Sequence, residues 1–424
     1  GEIPSHWDCK KIGSLFTERK VKVSDKEYPP LSVAKIGVVP QLDTAVKTDA
    51  GDNRKLVHIG DFVINSRSDR KGSCGVSELD GSVSLINIVL TPRNLWNSRY
   101  VHYLLRSQPF SEEYYRNGRG IVADLWTTRY NEMKSILLPV PPRPEQDQIV
   151  RFLDWKISNI NKLIAVKRKQ IALLHERQSV HISHIVTHGL RDGVAAKNSG
   201  AKWLGDIPEQ WHAMRCKYLF SERDERSRDG SEQHLSMSQK YGLVPDSHLD
   251  ERRMLSESYA GGKLCDKDDL VLNRLKAHLG VFALAPQSGV LSPDYTVLRP
   301  NTARILPSFA ETVLKSDCCR GELRVRVRGI IEGFWRLYTD DFNTIVLPVP
   351  PLDEQAEIME HIVEFRNKAK KYEDTLTQEI SSLQELKARL ISDTVTGKID
   401  VRGIEIPEYE FVEEESNCDA NDEE

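Results

Sequence analysis

Two long stretches of the chain carry apolar residues in alternating steps of three and four. In the first stretch the repeating positions are Val150, Leu153, Ile157, Ile160, Ile164, Lys167, Ile171, Leu174, Gln178, His181 and Ile185. In the second stretch they are Ile358, Ile362, Phe365, Ala369, Tyr372, Leu376, Ile380, Leu383, Lys387 and Leu390. This period is typical of a coiled-coil seam, so the pattern predicts two long helices.

A proline block precedes each predicted helix. Leu138–Pro142 and Leu347–Pro351 both read Leu-Pro-Val-Pro-Pro, and such a run holds the chain extended rather than helical. The helix that follows needs a partner to cover its apolar seam, and the other long helix is the obvious one. We expect the two to pair antiparallel, with one globule at each end and approximate twofold symmetry.

The rest of the chain alternates short apolar runs with polar turns. Strands are predicted at Gly60–Asn65, Ser84–Leu90 and Asp269–Asn273, and short helices near Ser98–Leu105 and Pro307–Lys315. The fold class is therefore α/β, with two globular domains separated by two long antiparallel coiled-coil helices.

The two halves of the chain are copies of each other. Gly1–Trp7 returns as Gly205–Trp211, and the proline block with its following Glu-Gln pair returns about half a chain length later. The unit is far longer than the roughly 20–50 residues of solenoid repeats, so it is a duplicated domain that performs one task at two places. Lys197–Leu204 precedes the second copy and has no counterpart before Gly1, so we expect that a short segment was lost there.

These patterns divide the chain into five predicted parts. They are a first globule (1–143), a central long helix (144–190), a second globule with its lead-in (191–352), a second long helix (353–403) and an acidic, disordered tail (404–424).

Composition narrows the function. The tail holds ten acidic residues and no Lys or Arg, so the net charge of −4 becomes +6 for the rest of the chain, which is compatible with a phosphate-contacting surface. The seven cysteines form no Cys-x-x-Cys pair, which favours reduced thiols and a cytoplasmic location. We expect no membrane partner, because no apolar run approaches the roughly 18 residues of a membrane span.

The order of globule, proline block, long helix, and then the same again resembles the specificity subunit of a type I restriction-modification enzyme. The resemblance extends to about Arg402. Its most specific parts are the two Pro-x-Pro-Pro-x-x-Glu-Gln blocks, Leu138–Gln146 and Leu347–Gln355. Asn273-Arg274 and Ser292–Tyr295 also resemble segments of the target-recognition domains of this family.

The resemblance implies a subunit without catalytic residues or cofactors. Each globule would be a target-recognition domain that reads one half of a split site on double-stranded DNA. The helices would set the spacer and dock two modification subunits, which bind S-adenosylmethionine, while restriction subunits using ATP and Mg²⁺ are further expected partners. The residues predicted for spacing or docking are Glu145, Gln146, Ile157, Ile164, Glu354, Gln355, Leu376 and Leu383.

DNA contacts are predicted in the polar stretches after two equivalent strands. The residues are Asn65, Arg67, Arg70 and Lys71 in the first copy, and Asn273, Arg274, Lys276 and His278 in the second. Arginine can bind guanine with two hydrogen bonds, and asparagine can bind adenine in the same way. The alternative is a solvated loop in which the asparagine caps the turn.

Two further features have alternative interpretations. Arg324, Arg326 and Arg328 alternate as on one strand face, which would form a phosphate track or a plain exposed strand. Trp126 and Trp335 occupy equivalent places before the proline blocks, and this equivalence favours core packing over base stacking.

Other function classes have weaker support. A stand-alone methyltransferase would need an Asn/Asp-Pro-Pro-Tyr/Phe motif, and Ser292–Tyr295 lacks its Pro-Pro pair. The sequence has no phosphate-binding Gly-x-x-x-x-Gly-Lys-Ser/Thr loop. His181, His184 and His188 have helical spacing without a fourth ligand, so no metal site is predicted. The remaining alternative is a scaffold that bridges two protein partners without reading DNA.

Overall fold

The chain folds into two units that share its two long helices. The computed structural model describes residues 2–41, 51–67, 70–93, 96–120, 126–191, 193–238, 241–246, 259–329 and 335–413. The first unit consists of Gly1–Lys169 and Leu376–Glu424, and the second of Gln170–Thr375. Each long helix therefore contributes one half to each unit.

The first globule precedes the first long helix. Its strands are β1 (Asp8–Lys11), β2 (Phe16–Glu18), β3 (Lys22–Val23), β4 (Leu31–Ala34), β5 (Gly37–Pro40), β6 (Arg54–Val57), β7 (Phe62–Asn65), β8 (Cys74–Val76), β9 (Gly81–Val83), β10 (Asn87–Pro92) and β11 (Leu137–Val140). Its helices are α1 (Ile12–Leu15), α2 (Ser98–Leu104), α3 (Gln108–Arg116) and α4 (Tyr130–Met133), followed by the long α5 (Arg143–His188).

The second globule lies between the long helices. Its strands are β12 (Ala196–Asn198), β13 (Asp206–Pro208), β14 (His212–Arg215), β15 (Phe220–Arg223), β16 (Leu235–Ser238), β17 (Gly242–Pro245), β18 (Lys263–Cys265), β19 (Leu270–Asn273), β20 (Phe282–Leu284), β21 (Gly289–Leu291), β22 (Tyr295–Pro300) and β23 (Val346–Val349). Its helices are α6 (Pro307–Lys315), α7 (Asp317–Arg324) and α8 (Thr339–Asn343), followed by the long α9 (Leu352–Val395). Two 3₁₀ turns cover Cys216–Tyr218 and Ala277–Leu279.

Both globules are organised around the same antiparallel four-stranded sheet. Its strand order is β2-β10-β7-β8 in the first globule and β15-β22-β19-β20 in the second. The central strand β7 has a continuous apolar run because its two faces contact different cores. Phe62 and Ile64 belong to one buried cluster and Val63 to another. Leu270, Val271 and Leu272 of β19 alternate between two clusters in the same way.

Most of the predicted elements are confirmed within a few residues. The strands β7 and β19 and the helices α2 and α6 lie where the sequence indicates them. The predicted strand Ser84–Leu90 begins late, because the Asn87 backbone N–H donates to the Ser84 carbonyl (3.0 Å) in a turn. The alternative of a strand through the three arginines is wrong, since Arg324 is the last residue of α7.

The two long helices are antiparallel, as predicted. In the first unit, Lys387 Nζ donates to Asn161 Oδ1 (3.1 Å) and Lys167 forms an ion pair with Glu379. In the second unit, the ring centroids of His181 and Phe365 lie 4.4 Å apart. Residue numbers thus rise along one helix as they fall along the other. Of the predicted seam residues, Ile157, Ile164 and Leu376 are buried and Leu383 is half-buried.

Each globule has a core that includes residues from both long helices. In the first unit, Ile149 and Leu153 of α5 and Val395 of α9 belong to the core around Trp7. In the second unit, the core around Trp211 includes Ile185 and Val186 of α5 and Ile358 and Ile362 of α9. Neither globule can therefore complete its core without the ends of both helices.

Glycine ends each long helix beside an equivalent tryptophan. Gly397 has a φ of 77° and Gly189 has a φ of 84°, a left-handed conformation that terminates a helix. A Cβ at Gly397 would lie 3.0 Å from Trp7, and one at Gly189 would lie 3.2 Å from Trp211. The second long helix accordingly ends at Val395, within the predicted part 353–403.

A buried glutamine joins each proline block to its globule. In the first unit, Gln146 Nε2 donates to the Pro141 carbonyl (3.0 Å), and its Oε1 accepts from the backbone N–H of Asn97 (3.1 Å) at the start of α2. In the second unit, Gln355 makes the equivalent bonds to Pro350 (2.8 Å) and to the backbone N–H of Leu306 (2.7 Å). These bonds explain why a glutamine stands at the same place after the prolines in both copies.

The first part of the segment predicted to be a disordered tail is ordered along α5. Ser158 Oγ donates to the Glu410 carbonyl (2.8 Å), and Asn161 Nδ2 donates to the Val412 carbonyl (2.9 Å). Lys162 forms an ion pair with the Glu410 carboxylate (3.2 Å). Residues 404–413 are therefore bound to the helix, while 414–424 lie outside the described residues.

Among the described residues, no helix combines the length and the apolar character that crossing a membrane requires.

We expect Gln355→Ala to lower the free energy of unfolding of the second unit by about 1–3 kcal/mol, because the buried Leu306 N–H and Pro350 carbonyl lose their partner. Urea denaturation followed by circular dichroism would measure it. Gln378→Ala removes the same atoms from an exposed position of α9 and serves as the control. Equal midpoints for the two variants would contradict the assigned role of Gln355.

Candidate nucleic-acid interface

A polar turn follows strand β7 in the first unit, and we call residues 66–72 the first polar turn. Asn65 is buried, and its Oδ1 accepts from the backbone N–H of Arg67 (3.0 Å). The side chains of Arg67, Arg70 and Lys71 are exposed. Asn65 therefore caps its turn, as the alternative interpretation predicts, while the side chains of the cations after it are exposed to solvent. Residues 68 and 69 lie outside the described part of the chain.

Helix α3 supports the end of this turn. Tyr115 accepts at its hydroxyl from the backbone N–H of Gly72 (3.2 Å), and Lys71 Nζ lies 5.1 Å from the centre of its ring. Gly72 has a φ of 81°, a conformation that other residues rarely adopt. The described end of the turn is therefore held by α3, and Arg70 and Lys71 remain exposed.

The second polar turn, residues 274–280, follows the equivalent strand β19. Asn273 Oδ1 accepts from the backbone N–H of Leu275 (3.1 Å), so this asparagine also caps its turn. Arg274 Nε donates to Thr296 Oγ1 (2.7 Å), which fixes the guanidinium beside β22. Lys276 is exposed. His278 lies in the 3₁₀ turn, and its side chain is outside the described part of the structure.

A second loop lies beside each polar turn and contains the tryptophan noted in the sequence. We call their described residues, 118–120 with 126–128 and 327–329 with 335–337, the first and second tryptophan loops. The first is closed by paired backbone hydrogen bonds between Arg119 and Thr127 (2.9 and 3.0 Å), and the second by Arg328 and Arg336 (2.9 and 2.8 Å). Both read Arg-Gly-Ile-x-x-x-x-Trp. Residues 121–125 and 330–334 are not among the described ones.

Backbone hydrogen bonds join each tryptophan loop to its polar turn. In the first unit, the Thr128 N–H donates to the Ser66 carbonyl (3.0 Å), and Thr127 forms a β-bridge with Arg67. In the second unit, the Leu337 N–H donates to the Arg274 carbonyl (3.0 Å). The two loops thus form one continuous surface in each unit, which we call the loop surface.

Trp126 and Trp335 are exposed at 38% and 37%, so the prediction that they pack in the core is wrong. The indole of Trp126 instead lies against Gly118, where a Cβ would be 2.0 Å from its Nε1 atom. The shared Arg-Gly-Ile-x-x-x-x-Trp pattern is the sequence signal that could have identified these loops. Residues at equivalent positions of a duplicated domain can share a role at the surface as well as in the core.

Exposed cations lie in or next to both loop surfaces. In the first unit they are Arg67, Arg70, Lys71, Arg119 and Arg129, and in the second Lys276, Arg324, Arg328 and Arg336. Of these, Arg328 forms an ion pair with Asp341, and the half-buried Arg274 lies 4.0 Å from Glu222. Both loop surfaces therefore present more positive than negative charge, which is the complement of a phosphate backbone.

The predicted docking residues lie in two different environments. Glu145 accepts from His6 Nε2 (2.9 Å), and Gln146 and Gln355 are the buried links described above. Glu354 is half-buried near Gly189. Glu145, Gln146 and Gln355 thus join a globule to a helix, and Glu354 lies beside the end of α5. Ile157, Ile164, Leu376 and Leu383 lie along the seam. A role for any of them in contacting other subunits stays a prediction.

Metal chemistry has no support in the described residues, where no group of three His, Cys, Asp or Glu side chains could hold an ion. His181 packs on Phe365 and lies 3.4 Å from His361 between their Nε2 atoms. Burial is the largest cause that lowers the pKa of His181, and the neighbouring His361 lowers it further. The ring is therefore a neutral part of the helix seam at physiological pH.

Comparison with known proteins gives relatives along nearly the whole chain, although no protein-family model matches it. The putative type I restriction enzyme MjaX specificity subunit of Methanocaldococcus jannaschii is 20% identical over 441 residues, covering 95% of this chain and 96% of the relative. The EcoKI specificity subunit of Escherichia coli K12 is 21% identical over 433 residues, covering 94% and 90%.

The fold is also that of a solved structure from a study of complex assembly and conformational transition of the type I restriction-modification system. The TM-score is 0.65 at 13% identity, and the match covers 94% of this chain and 100% of the other. The resemblance to the specificity subunits of type I restriction enzymes is therefore confirmed over almost the whole chain, in sequence and in fold.

Proposed function

We propose that this chain is the sequence-specific DNA-recognition subunit of a type I restriction-modification complex and has no catalytic role of its own. The observation that carries the proposal is the equivalent basic loop surface in each unit, formed by a polar turn bonded to a tryptophan loop. Each loop surface reads one half of a bipartite target on double-stranded DNA. Phosphate contacts supply much of the affinity, and contacts to base edges supply the sequence choice.

The two half-sites differ in sequence. Corresponding positions of the loop surfaces carry different side chains: Thr127 in the first unit stands where Arg336 stands in the second. The polar turns also differ in sequence, since the first contains Arg70 and Lys71 and the second Lys276 and His278. Two readers on one framework with different contact residues fit an asymmetric target.

Docking of two modification subunits is supported by a second apolar row on α5. Leu163 and Val166 are 51% and 54% exposed in the first unit, and Leu173 and Val180 are 52% and 63% exposed in the second. Their spacing of three and seven residues places each pair on one face of the helix. An exposed apolar row on a helix fits a partner helix.

The partners supply the chemistry that this chain lacks. Modification subunits bind S-adenosylmethionine, and restriction subunits, where present, use ATP and Mg²⁺. A cytoplasmic location agrees with the free thiols of all six described cysteines.

The alternative of a scaffold that does not read DNA is separated from this proposal by mutating the loop surface. In the assembled complex, Arg67→Ala and Arg274→Ala should each weaken cognate DNA binding by about 1–3 kcal/mol. Each should relax the sequence preference of one half-site only. Fluorescence anisotropy with duplexes mutated in either half would measure both effects.

Lys11→Ala and Arg215→Ala are the matched controls, because these exposed cations occupy equivalent positions at the ends of β1 and β14, outside the four-stranded sheets. If all four variants bound DNA like the parent, the loop surface would not be the reading surface.

Deleting the gene from its host should abolish one asymmetric, bipartite DNA-methylation motif, because no modification subunit could then find its target. Long-read sequencing of the methylome with and without the gene would give both half-sites at once. A strain complemented with the intact gene is the control. A methylome that the deletion leaves unchanged, in a strain that expresses the complex, would contradict the proposal.

Removing one matched heptad from each long helix should shorten the tolerated spacer by about three base pairs, since seven helical residues span ~10 Å and a base pair ~3.4 Å. Residues 163–169 and 378–384 are matched by the ion pair of Lys167 and Glu379. Methylation of substrates with graded spacers would measure the change. An altered half-site would contradict the assignment of sequence recognition to the globules and of spacer length to the helices. Deletion from α5 alone is the control, because it breaks the register of the seam.

A further inference from the structure

Two exposed tryptophans at equivalent positions require an explanation beyond folding. Tryptophan presents a large apolar surface with one polar atom, and folding gains nothing from leaving part of it in water. Trp126 and Trp335 are nevertheless 38% and 37% exposed. By contrast, the equivalent pair Trp7 and Trp211 is buried at 7% and 0% in the two cores. The duplicated domain thus keeps one tryptophan pair for the core and another at the surface.

The framework beneath the first exposed tryptophan is fixed by buried hydrogen bonds. Tyr114 is buried, and its hydroxyl donates to the Thr128 carbonyl (3.0 Å), while Thr128 Oγ1 donates to the Tyr114 carbonyl (3.1 Å). Thr128 also donates its N–H to Ser66. The closing end of the loop is therefore tied both to α3 and to the polar turn, so the indole beside it has a defined position.

The second loop has an equivalent framework. Leu337 is buried at 3% and follows Trp335 by two residues, as Thr128 follows Trp126. Its N–H bonds to Arg274 of the polar turn. Two loops with different sequences around the shared pattern thus carry an exposed indole at the same loop position, next to the residues proposed to read DNA.

The chemistry around the indoles fits a nucleic acid. Exposed guanidinium groups lie on the same loops: Arg119 in the first unit, Arg328 and Arg336 in the second. Cations beside a partly exposed aromatic ring are the combination that binds phosphates and base faces together. A protein partner helix would instead match an exposed apolar row such as the one on α5.

Resting on the proposed function, we propose that each tryptophan loop is a DNA-contacting element in which Trp126 or Trp335 packs its indole against nucleobases of the half-site read by its unit. The arginines of the same loop hold the flanking phosphates. The polar turn and the tryptophan loop then act together, one on base edges and the other on base faces.

Alanine and phenylalanine substitutions in the assembled complex test this contact. Trp126→Ala and Trp335→Ala should each weaken binding of the cognate duplex by about 5- to 150-fold, the range expected for losing one aromatic–base contact. The phenylalanine variants should retain most of the affinity, because they keep a ring. Trp126→Ala should change the tolerance to substitutions in one half-site, and Trp335→Ala in the other.

Controls come from exposed apolar residues elsewhere in the same units. Ile59 is 65% exposed on the turn before β7, at the opposite end of that strand from the first polar turn, and Tyr218 is 53% exposed in a 3₁₀ turn. Ile59→Ala and Tyr218→Ala should leave DNA binding unchanged. Gly118→Ala should act like Trp126→Ala, because its Cβ must displace the indole.

Fluorescence supplies an independent readout, since stacking on bases quenches tryptophan emission. Each of the variants Trp126→Phe and Trp335→Phe should lose part of the quenching that cognate DNA produces, whereas Trp155→Phe on α5 should not. The parent complex tests the proposed function separately. If the parent shows no sequence-selective DNA binding, the proposed function is wrong whatever the tryptophans do. If the parent binds selectively and the alanine variants bind equally well, the tryptophan contact is refuted. Failure of these variants to assemble with modification subunits would also overturn it, in favour of a protein-binding role.

Discussion

Burial of the seam between α5 and α9 is the constraint on which the rest of the structure depends. Each helix is too apolar along one face to stand alone, and the duplicated sequence supplies its partner. Because the helices run antiparallel, the start of one and the end of the other meet in each unit. Ile149 and Val395 therefore enter one core, and Ile185 and Ile358 the other. Folding of the globules and pairing of the helices are thus one process.

The sequence predicts this framework well because the spacing of apolar residues and the residues that end a helix are local properties. Proline blocks, a seam with alternating steps and glycines at the helix ends each act over a few residues. The reason for the glutamine after the prolines is not local, since Gln355 bonds to the backbone N–H of Leu306, far away in sequence. The binding of residues 404–413 to α5 also depends on a distant partner. Ser158 and Asn161 donate hydrogen bonds to this segment, although its acidic composition is typical of disorder.

The loop surface could be predicted only in part. The polar residues after β7 and β19 were identifiable as exposed candidates, and Arg67 and Lys276 are exposed. Separating capping from recognition requires coordinates, because Asn65 and Asn273 turn their oxygens to backbone N–H groups of their own turns. The tryptophans were misplaced because repetition indicates that a position matters without indicating whether it serves the core or the surface. Exposure decides between these two roles: Trp7 is 7% exposed and Trp126 is 38% exposed.

The two loop surfaces differ beside the shared tryptophan. This difference bears on how two units with the same framework can recognise different half-sites. Gly118 leaves room for the indole of Trp126 in the first unit. Its counterpart in the second unit is Val327, which packs partly against the core, so the contact between an indole and a glycine at this position is not repeated there. The anchoring hydrogen bonds to the polar turn are nevertheless the same in both. The backbone connection can therefore stay constant while the side chain at the Gly118 position differs, and a half-site can change without altering the sheet, the proline block or the helix seam.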